Sequence, residues 1–309
     1  MGKLANRAVI CECLMEEAKT DQDICVVVSD SRGSASLTPF TKAYPKRTIE
    51  VGIAEQDLVG ISAGLASAGK KPYAASPASF LTMRSIEQVK VDVAYSNANV
   101  KLIGISAGVS YGALGMTHHS LQDLAVLTAI PNMQIIVPAD QHETRKMMAQ
   151  LKDDVHPTYI RVSRNPVDDV HESDDFHYEI GKAITLREGK DITIVAVGDM
   201  VSIACKASDA LKEEGIHARV INMHTIKPFD EEAIIKAAKE TKAIITMEEH
   251  SIYGGLGAMV CECVAAHHPV KVRVLAFPDE ITISGSAQEL FDYYGLSVDH
   301  VRKTAKELL

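Results

Sequence analysis

Three groups of residues have types and spacings that could do chemistry. The first lies in RTIEVGIAEQDLVGISAGLASAG (47–69), where Glu55 opens a helical pattern just after a strand-like segment that carries Glu50. An acid there is favoured by the partial positive charge of a helix N-terminus, so a simple helix-start role accounts for it. The helix behind it, however, carries Gly60, Gly64 and Ala68 at four-residue spacing, a face that another backbone could approach closely. A carboxylate sheltered at such an interface could instead relay a proton. The second group is GVSYGALGMTHHSLQDLA (108–125), with glycines at 108, 112 and 115 followed by His118 and His119. Glycines allow a tight loop, and imidazole titrates near neutrality and suits proton transfer. A surface histidine at a helix start is the plain alternative. The third group is Arg7, Ser34 and Arg164, each beside a strand or helix end. Arginine suits two-pronged contact with phosphate, although ordinary surface charge would also explain these residues. DSRGSAS (30–36) is rich in Gly and Ser after a strand, but it is no P-loop.

Positioning such groups requires alternating strands and helices, and the sequence supplies them. DICVVVSD (23–30), TIEVGI (48–53), KLIGIS (101–106), QIIVP (134–138) and PTYIRVS (157–163) read as strands, with helices over 54–68 and 138–152, the latter having Asp140 near its cap. NPVDDVHESDDF (165–176) is acidic and poor in apolar residues, and reads as a solvated linker. A second alternation follows. Strands are expected at 191–199, 217–223, 243–249 and 270–278, and helices at 202–215, 230–240, 254–267 and 298–309. This is the pattern of α/β units with mostly parallel sheets flanked by helices. The expected organisation is a domain over 1–165, an acidic linker over 166–177 and a domain over 178–309. No repeat of fixed period appears.

Composition narrows the function. With 309 residues, 32 basic and 41 acidic, the net charge is 32 − 41 = −9, which argues against a general polyanion binder. No apolar run reaches the ~18 residues of a membrane span. The N-terminus MGKLANRAVICECLMEEA meets acidic residues before a signal-peptide core could form, and Asn6 stands where a myristoylation motif wants Ser or Thr. The six cysteines include two C-x-C pairs, 11/13 and 261/263, in helix-like segments. That spacing suits neither zinc nor redox motifs, so they are expected to be buried thiols in a reducing, cytoplasmic setting.

The stretch IEVGIAEQDLVGISAGLASAG, then PASFLTMRSIEQVKVDVAY, then GMTHH, resembles the transketolase family of thiamine-diphosphate enzymes. In the second half DITIVAVGDM, INMHTIKPFD and EEHSIYGGLGAMV resemble blocks of the transketolase C-terminal domain. The resemblance implies a pyrimidine-binding domain followed by that C-terminal domain, and so the C-terminal subunit of a split transketolase. The diphosphate- and magnesium-binding motif, GDG with a later Asn, is absent, and its nearest match is Gly198-Asp199-Met200. No G-x-G-x-x-G opens a helix either, and the glycines at 254, 255 and 257 are weak evidence of a nucleotide site.

By this resemblance Glu55 is the glutamate that hydrogen-bonds the pyrimidine ring and starts the relay that activates the thiazolium carbon. Phe80 would stack on the aminopyrimidine, Met83 and Ile86 would continue the pocket wall, and Asp30 would contact thiamine from this side. His118 would bind a substrate oxygen next to the reacting carbon, and Arg7, Ser34 and Arg164 would hold the sugar phosphate. The family's aspartate four residues before that histidine is Leu114 here, His119 stands where Gln is common, and a second phosphate-contacting histidine near Ser106 or Ala107 is missing. These departures point to an unusual, branched ketose phosphate. The implied activity is transfer of a two-carbon ketol unit between phosphorylated sugars. It would use thiamine diphosphate and Mg2+, the metal being held by an N-terminal diphosphate-binding subunit in a two-plus-two heterotetramer, with the small-residue helix as an interface element. Other readings are the beta subunit of a two-oxoacid dehydrogenase, a split deoxyxylulose-phosphate synthase, and a non-catalytic assembly subunit.

Overall fold

The computed structural model describes residues 3–309. Seven strands build a first sheet: β1 (Ile24–Val28), β2 (Thr48–Glu50), β3 (Lys71–Pro77), β4 (Lys101–Ile105), β5 (Gln134–Ile136), β6 (Thr158–Arg161) and β10 (Thr225–Lys227). Their order is β10-β5-β6-β4-β3-β1-β2, parallel except for β10, which lies antiparallel on β5. A second sheet holds β7 (Ile184–Arg187), β8 (Ile192–Ala196), β9 (Ala218–Asn222), β11 (Ala243–Ser251) and β12 (Lys271–Phe277). Its order is β12-β11-β8-β9-β7, parallel except for the β7 edge. The helices are α1 (Asn6–Glu17), α2 (Thr38–Ala43), α3 (Glu55–Ser67), α4 (Ala78–Met83), α5 (Ile86–Gln88), α6 (Asp123–Thr128), α7 (Gln141–Leu151), α8 (Met200–Glu213), α9 (Glu231–Glu240), α10 (Leu256–His267), α11 (Ala287–Tyr293) and α12 (Val298–Leu308). A π-helical turn, Val89–Tyr95, continues α5. The two mostly parallel sheets flanked by helices are the architecture expected from the alternation.

Local chemistry explains the elements. The strand ICVVV of β1 is buried throughout, as a central parallel strand covered on both faces must be. Asp140 caps α7 by accepting the Glu143 N–H at 2.8 Å, and Asp230 caps α9 through Ala233 N–H. Ser286 and Glu289 form a reciprocal capping box on α11. The strand expected over 48–53 stops at Glu50. The Glu50 carboxylate accepts the N–H of Asp30 and of Gly52, which turns with φ +72°, and so draws the chain out of the sheet.

The two sheets are not independent bodies. One apolar core runs from Val27, Leu102 and Tyr159 under the first sheet to Val195, Ile221 and Ile244 under the second. Segment 166–177, expected as solvated, is partly inlaid. His171 is buried, stacks on Phe176 at 3.8 Å, and with Val170 donates its backbone N–H to Asp140. The same carboxylate therefore caps α7 and anchors the linker. All six cysteines are unpaired, on α1, β1, α8 and α10, and burial pushes the Cys13, Cys25 and Cys205 thiols up to about 11. Among the described residues no helix is long and apolar enough to cross a membrane.

At the seam Glu249 is buried and accepts the Val109 N–H at 2.7 Å. Burial, and next the Asp199 carboxylate, push Glu249 up to about 8. A raised carboxyl pKa means the folded chain binds the proton more tightly than the unfolded chain, so this contribution to stability is lost as pH rises from about 4.5 to about 8. The chain should lose stability across that window, and Glu249→Gln should flatten the profile by at least about 1.4 kcal/mol, the worth of one pKa unit. Urea denaturation of both proteins from pH 5 to 8.5 measures this, and parallel profiles would contradict it.

Candidate active site

The site is built where the first sheet's chain order reverses. From β1 the chain passes to β2 on one side and later to β3 on the other, which opens a crevice outside the carboxyl ends of the strands. Val28 pairs with both Glu50 and Ala75, so β1 and β2 end at one level and β3 runs two residues beyond it. The segments that follow β1 to β4 converge there on a cleft of about 210 Å³. Its lining includes Asp30 and Ser34 after β1, Glu55 after β2, Phe80 after β3, and Leu114 and His118 after β4.

Glu55 is the first residue of α3 and is 5% exposed. Its Oε1 accepts from Arg84 Nη1 at 2.9 Å, and among the described residues its Oε2 has no hydrogen-bond partner. The Arg84 guanidinium also lies 3.9 Å from the Phe80 ring centroid, so one cation fixes both the carboxylate and the aromatic ring. The His118 ring meets the Phe80 ring edge-to-face at 5.1 Å and the Tyr111 ring at 5.6 Å. Its Nδ1 is bonded to Thr117 Oγ1, and among the described residues its Nε2 is left without a protein partner. A carboxylate oxygen and an imidazole nitrogen, both uncommitted, therefore belong to side chains that line one cleft with the Phe80 ring.

The basic residues gather at one end. Arg7 donates to the Ser34 carbonyl and, at 2.9 Å, to the Arg164 carbonyl, while the Arg164 guanidinium lies 5.2 Å from the Tyr111 ring. Burial, and then the neighbouring Arg164 charge, lower the Arg7 pKa. Two guanidiniums that repel each other, neither bridged to a carboxylate among the described residues, form a setting for an anion.

Of the residues singled out in the sequence, Asp30, Ser34, Glu55, Phe80 and His118 share the cleft, with Arg7 and Arg164 beside it. Met83 and Ile86 do not line it. Ile86 packs onto the core, because the short α5 turns it toward α3, and Met83 is 53% exposed outside the lining. Among the described residues a Cβ at Gly64 would meet nothing within 4 Å, and one at Gly60 only the Asp92 side chain at 3.9 Å. Sequence reasoning missed Ile53, the aromatic clamp of Tyr111, and the ion pair that Arg84 makes with Glu55. The only available signals were a lone aromatic in a glycine-rich loop and an arginine one turn after Phe80. Among the described residues no three His, Cys, Asp or Glu side chains converge as metal ligands would.

The family models for the transketolase pyrimidine-binding domain and the transketolase C-terminal domain match residues 2–168 and 181–301. The chain belongs to the transketolase family. It is 51% identical to one subunit of the apulose-4-phosphate transketolase of Phocaeicola vulgatus, over 99% of each chain. It is 36% identical to a 6-deoxy-6-sulfo-D-fructose transketolase subunit of a Clostridium species, over 96% of this chain and 92% of that one. Among solved structures, one described as a split gene transketolase, inactive beta4 tetramer, superposes with a TM-score of 0.91 at 36% identity, over 99% of this chain and 98% of that one. This transketolase-type subunit thus spans nearly the whole of each of these relatives.

The Glu55–Arg84 pair yields a stability test. Arg84→Met strands a buried carboxylate and should destabilise the chain by about 1–3 kcal/mol. Adding Glu55→Gln should recover most of that loss in a double-mutant cycle read by denaturation. Additive losses would mean that the pair is not coupled.

Proposed function

We propose that this chain is the pyrimidine-binding subunit of a two-chain, thiamine-diphosphate-dependent transketolase, which transfers a two-carbon ketol unit between phosphorylated sugars and takes a branched ketose phosphate such as apulose 4-phosphate as donor. The observation that carries the reading is the grouping of Glu55, Phe80 and His118 in one cleft with the Arg7–Arg164 pair beside it. The donor set suits an aminopyrimidine: Phe80 presents an aromatic face, and the free Oε2 of Glu55 is available to a ring nitrogen. At about 210 Å³ the cleft is smaller than the roughly 300–1,000 Å³ of ordinary small-molecule sites, which supports a site completed by another subunit. The diphosphate and Mg2+ are assigned to that partner.

When bound, the cofactor supplies the electron sink for breaking a carbon–carbon bond beside a carbonyl. Glu55 holds the proton shared with the pyrimidine ring, and Arg84 fixes the Glu55 carboxylate through its other oxygen. Phe80 shelters the ring from water, and Asp30 borders it on the β1 side. His118, with Nε2 free, donates to the substrate oxygen next to the reacting carbon. Arg7, Ser34 and Arg164 hold the phosphate end. Leu114 lines the cleft and is 53% exposed. An apolar side chain there supports a donor whose hydroxyl pattern departs from that of linear ketose phosphates, and the relative named for apulose 4-phosphate supports the same choice. Exposed Ile61, Val91 and Tyr95, on α3 and the turn that packs against it, support the heterotetramer.

Reconstitution tests this reading. The chain is mixed with a transketolase diphosphate-binding subunit, thiamine diphosphate and Mg2+, and ketol transfer from apulose 4-phosphate is assayed. Transfer is expected from the pair only. Glu55→Gln should cut turnover at least about a hundredfold, because it removes the group that holds the relayed proton, and should leave the two chains associated in size-exclusion chromatography. Turnover of pyruvate but not of ketose phosphates would overturn the proposal.

A further inference from the structure

The loop that carries His118 has two faces. Its ends are closed on each other by the Ser120 N–H bond to the Gly108 carbonyl, at 2.8 Å. One face gives Tyr111, Leu114 and His118 to the cleft. The other rests on the C-terminal half of the chain. A Cβ at Gly112 would lie 2.1 Å from the Gly285 carbonyl oxygen, so only glycine permits this approach, and Gly115, which faces Ser284, turns with φ +72°. His119 is buried between the faces. Its Nε2 lies 3.1 Å from the Gly112 carbonyl, and its Nδ1 lies 2.9 Å from the hydroxyl of Thr282, on the segment between β12 and α11. A carbonyl only accepts, so Nε2 carries the proton and Nδ1 accepts from Thr282. Burial, with the nearby His118, lowers the His119 pKa and favours this neutral form. Among the described residues the middle of the loop, 111–119, makes its one hydrogen bond outside the loop through this imidazole. A cavity of about 310 Å³, lined by Met116, His119, Leu121 and Thr282 among others, lies behind the loop and leaves it room to shift.

We propose that Thr282 and His119 are positioning residues. The C-terminal half is the mount that sets His118 in the cleft, and the Thr282–His119–Gly112 chain of hydrogen bonds is its fastening. The proposal deepens the transketolase reading and rests on it for the role of His118. Thr282→Val keeps the side chain's shape and removes the donor. In the reconstituted enzyme it should lower kcat about tenfold, since displacements near 1 Å can cost up to a hundredfold, with KM for the sugar phosphate within about twofold. Thr282→Ser should restore the rate. In the full chain alone, the His118 imidazole Cε1–H signal, assigned with His118→Gln, should shift and broaden in Thr282→Val and return in Thr282→Ser. Should Thr282→Val unfold the chain, Thr282→Ala is read in the same way. An unchanged His118 signal, or a Ser variant no better than Val, would overturn the proposal. Lack of ketol transfer by the wild-type pair would instead count against the function, and the spectrum would still decide the mount.

Discussion

The buried guanidinium of Arg161 is the interaction on which the rest of the molecule depends. From the end of β6 it donates through Nε to Asp123 at 2.8 Å and through Nη2 to the carbonyls of Ser120 and Glu249. Tyr159, two residues earlier, donates to the same Asp123 oxygen. Burial opposes a charge here, but the ionised Asp123 carboxylate outweighs it and holds Arg161 protonated. One side chain thus joins the first sheet, the start of α6, the end of the His118 loop and β11 of the second sheet. Removing any one partner would leave a buried charge or carbonyl uncompensated, a large cost in a low-dielectric seam. The loop and the two sheets must therefore be placed together or not at all.

That constraint holds the cleft-lining groups in fixed positions. The segments after β1 to β4 supply a carboxylate with one free oxygen, an aromatic ring and an imidazole, and α1 and the segment after β6 add the guanidiniums of Arg7 and Arg164. Glu50 fixes the Asp30 turn, Arg84 fixes Glu55, and the carbonyls of Ser34 and Arg164 hold Arg7. With its supports spent inward, the cleft presents uncommitted groups outward, as the proposed shared site requires.

Much of this was legible in the sequence because it rests on local pattern. The buried run ICVVV, the cap at Asp140 and the helix start at Glu55 are written in consecutive residues. The short edge strand β10 was not, since three residues from the second half carry no period of their own and are set by pairing with β5. Nor was the seam. EEH at 248–250 reads as a polar end to a strand, yet Glu249 and His250 are buried because residues 109, 123 and 161, distant in sequence, close over them. The likeness to transketolases suggested Glu55 and His118, but it could not show that Arg84 braces one and Thr282 the mount of the other, because these are tertiary contacts. The likeness also named Met83 and Ile86 as pocket wall; within this chain neither lines the cleft, Ile86 packing onto the core and Met83 standing exposed.

Under the proposed function this chain holds one half of a shared cofactor site. The direct measurement is calorimetric titration of thiamine diphosphate, with Mg2+ present, into the chain alone, into a diphosphate-binding partner alone, and into the equimolar pair. Saturable binding near one cofactor per pair, at least about a hundredfold tighter than to either chain alone, is the predicted result. Equally tight binding to the isolated chain would contradict it.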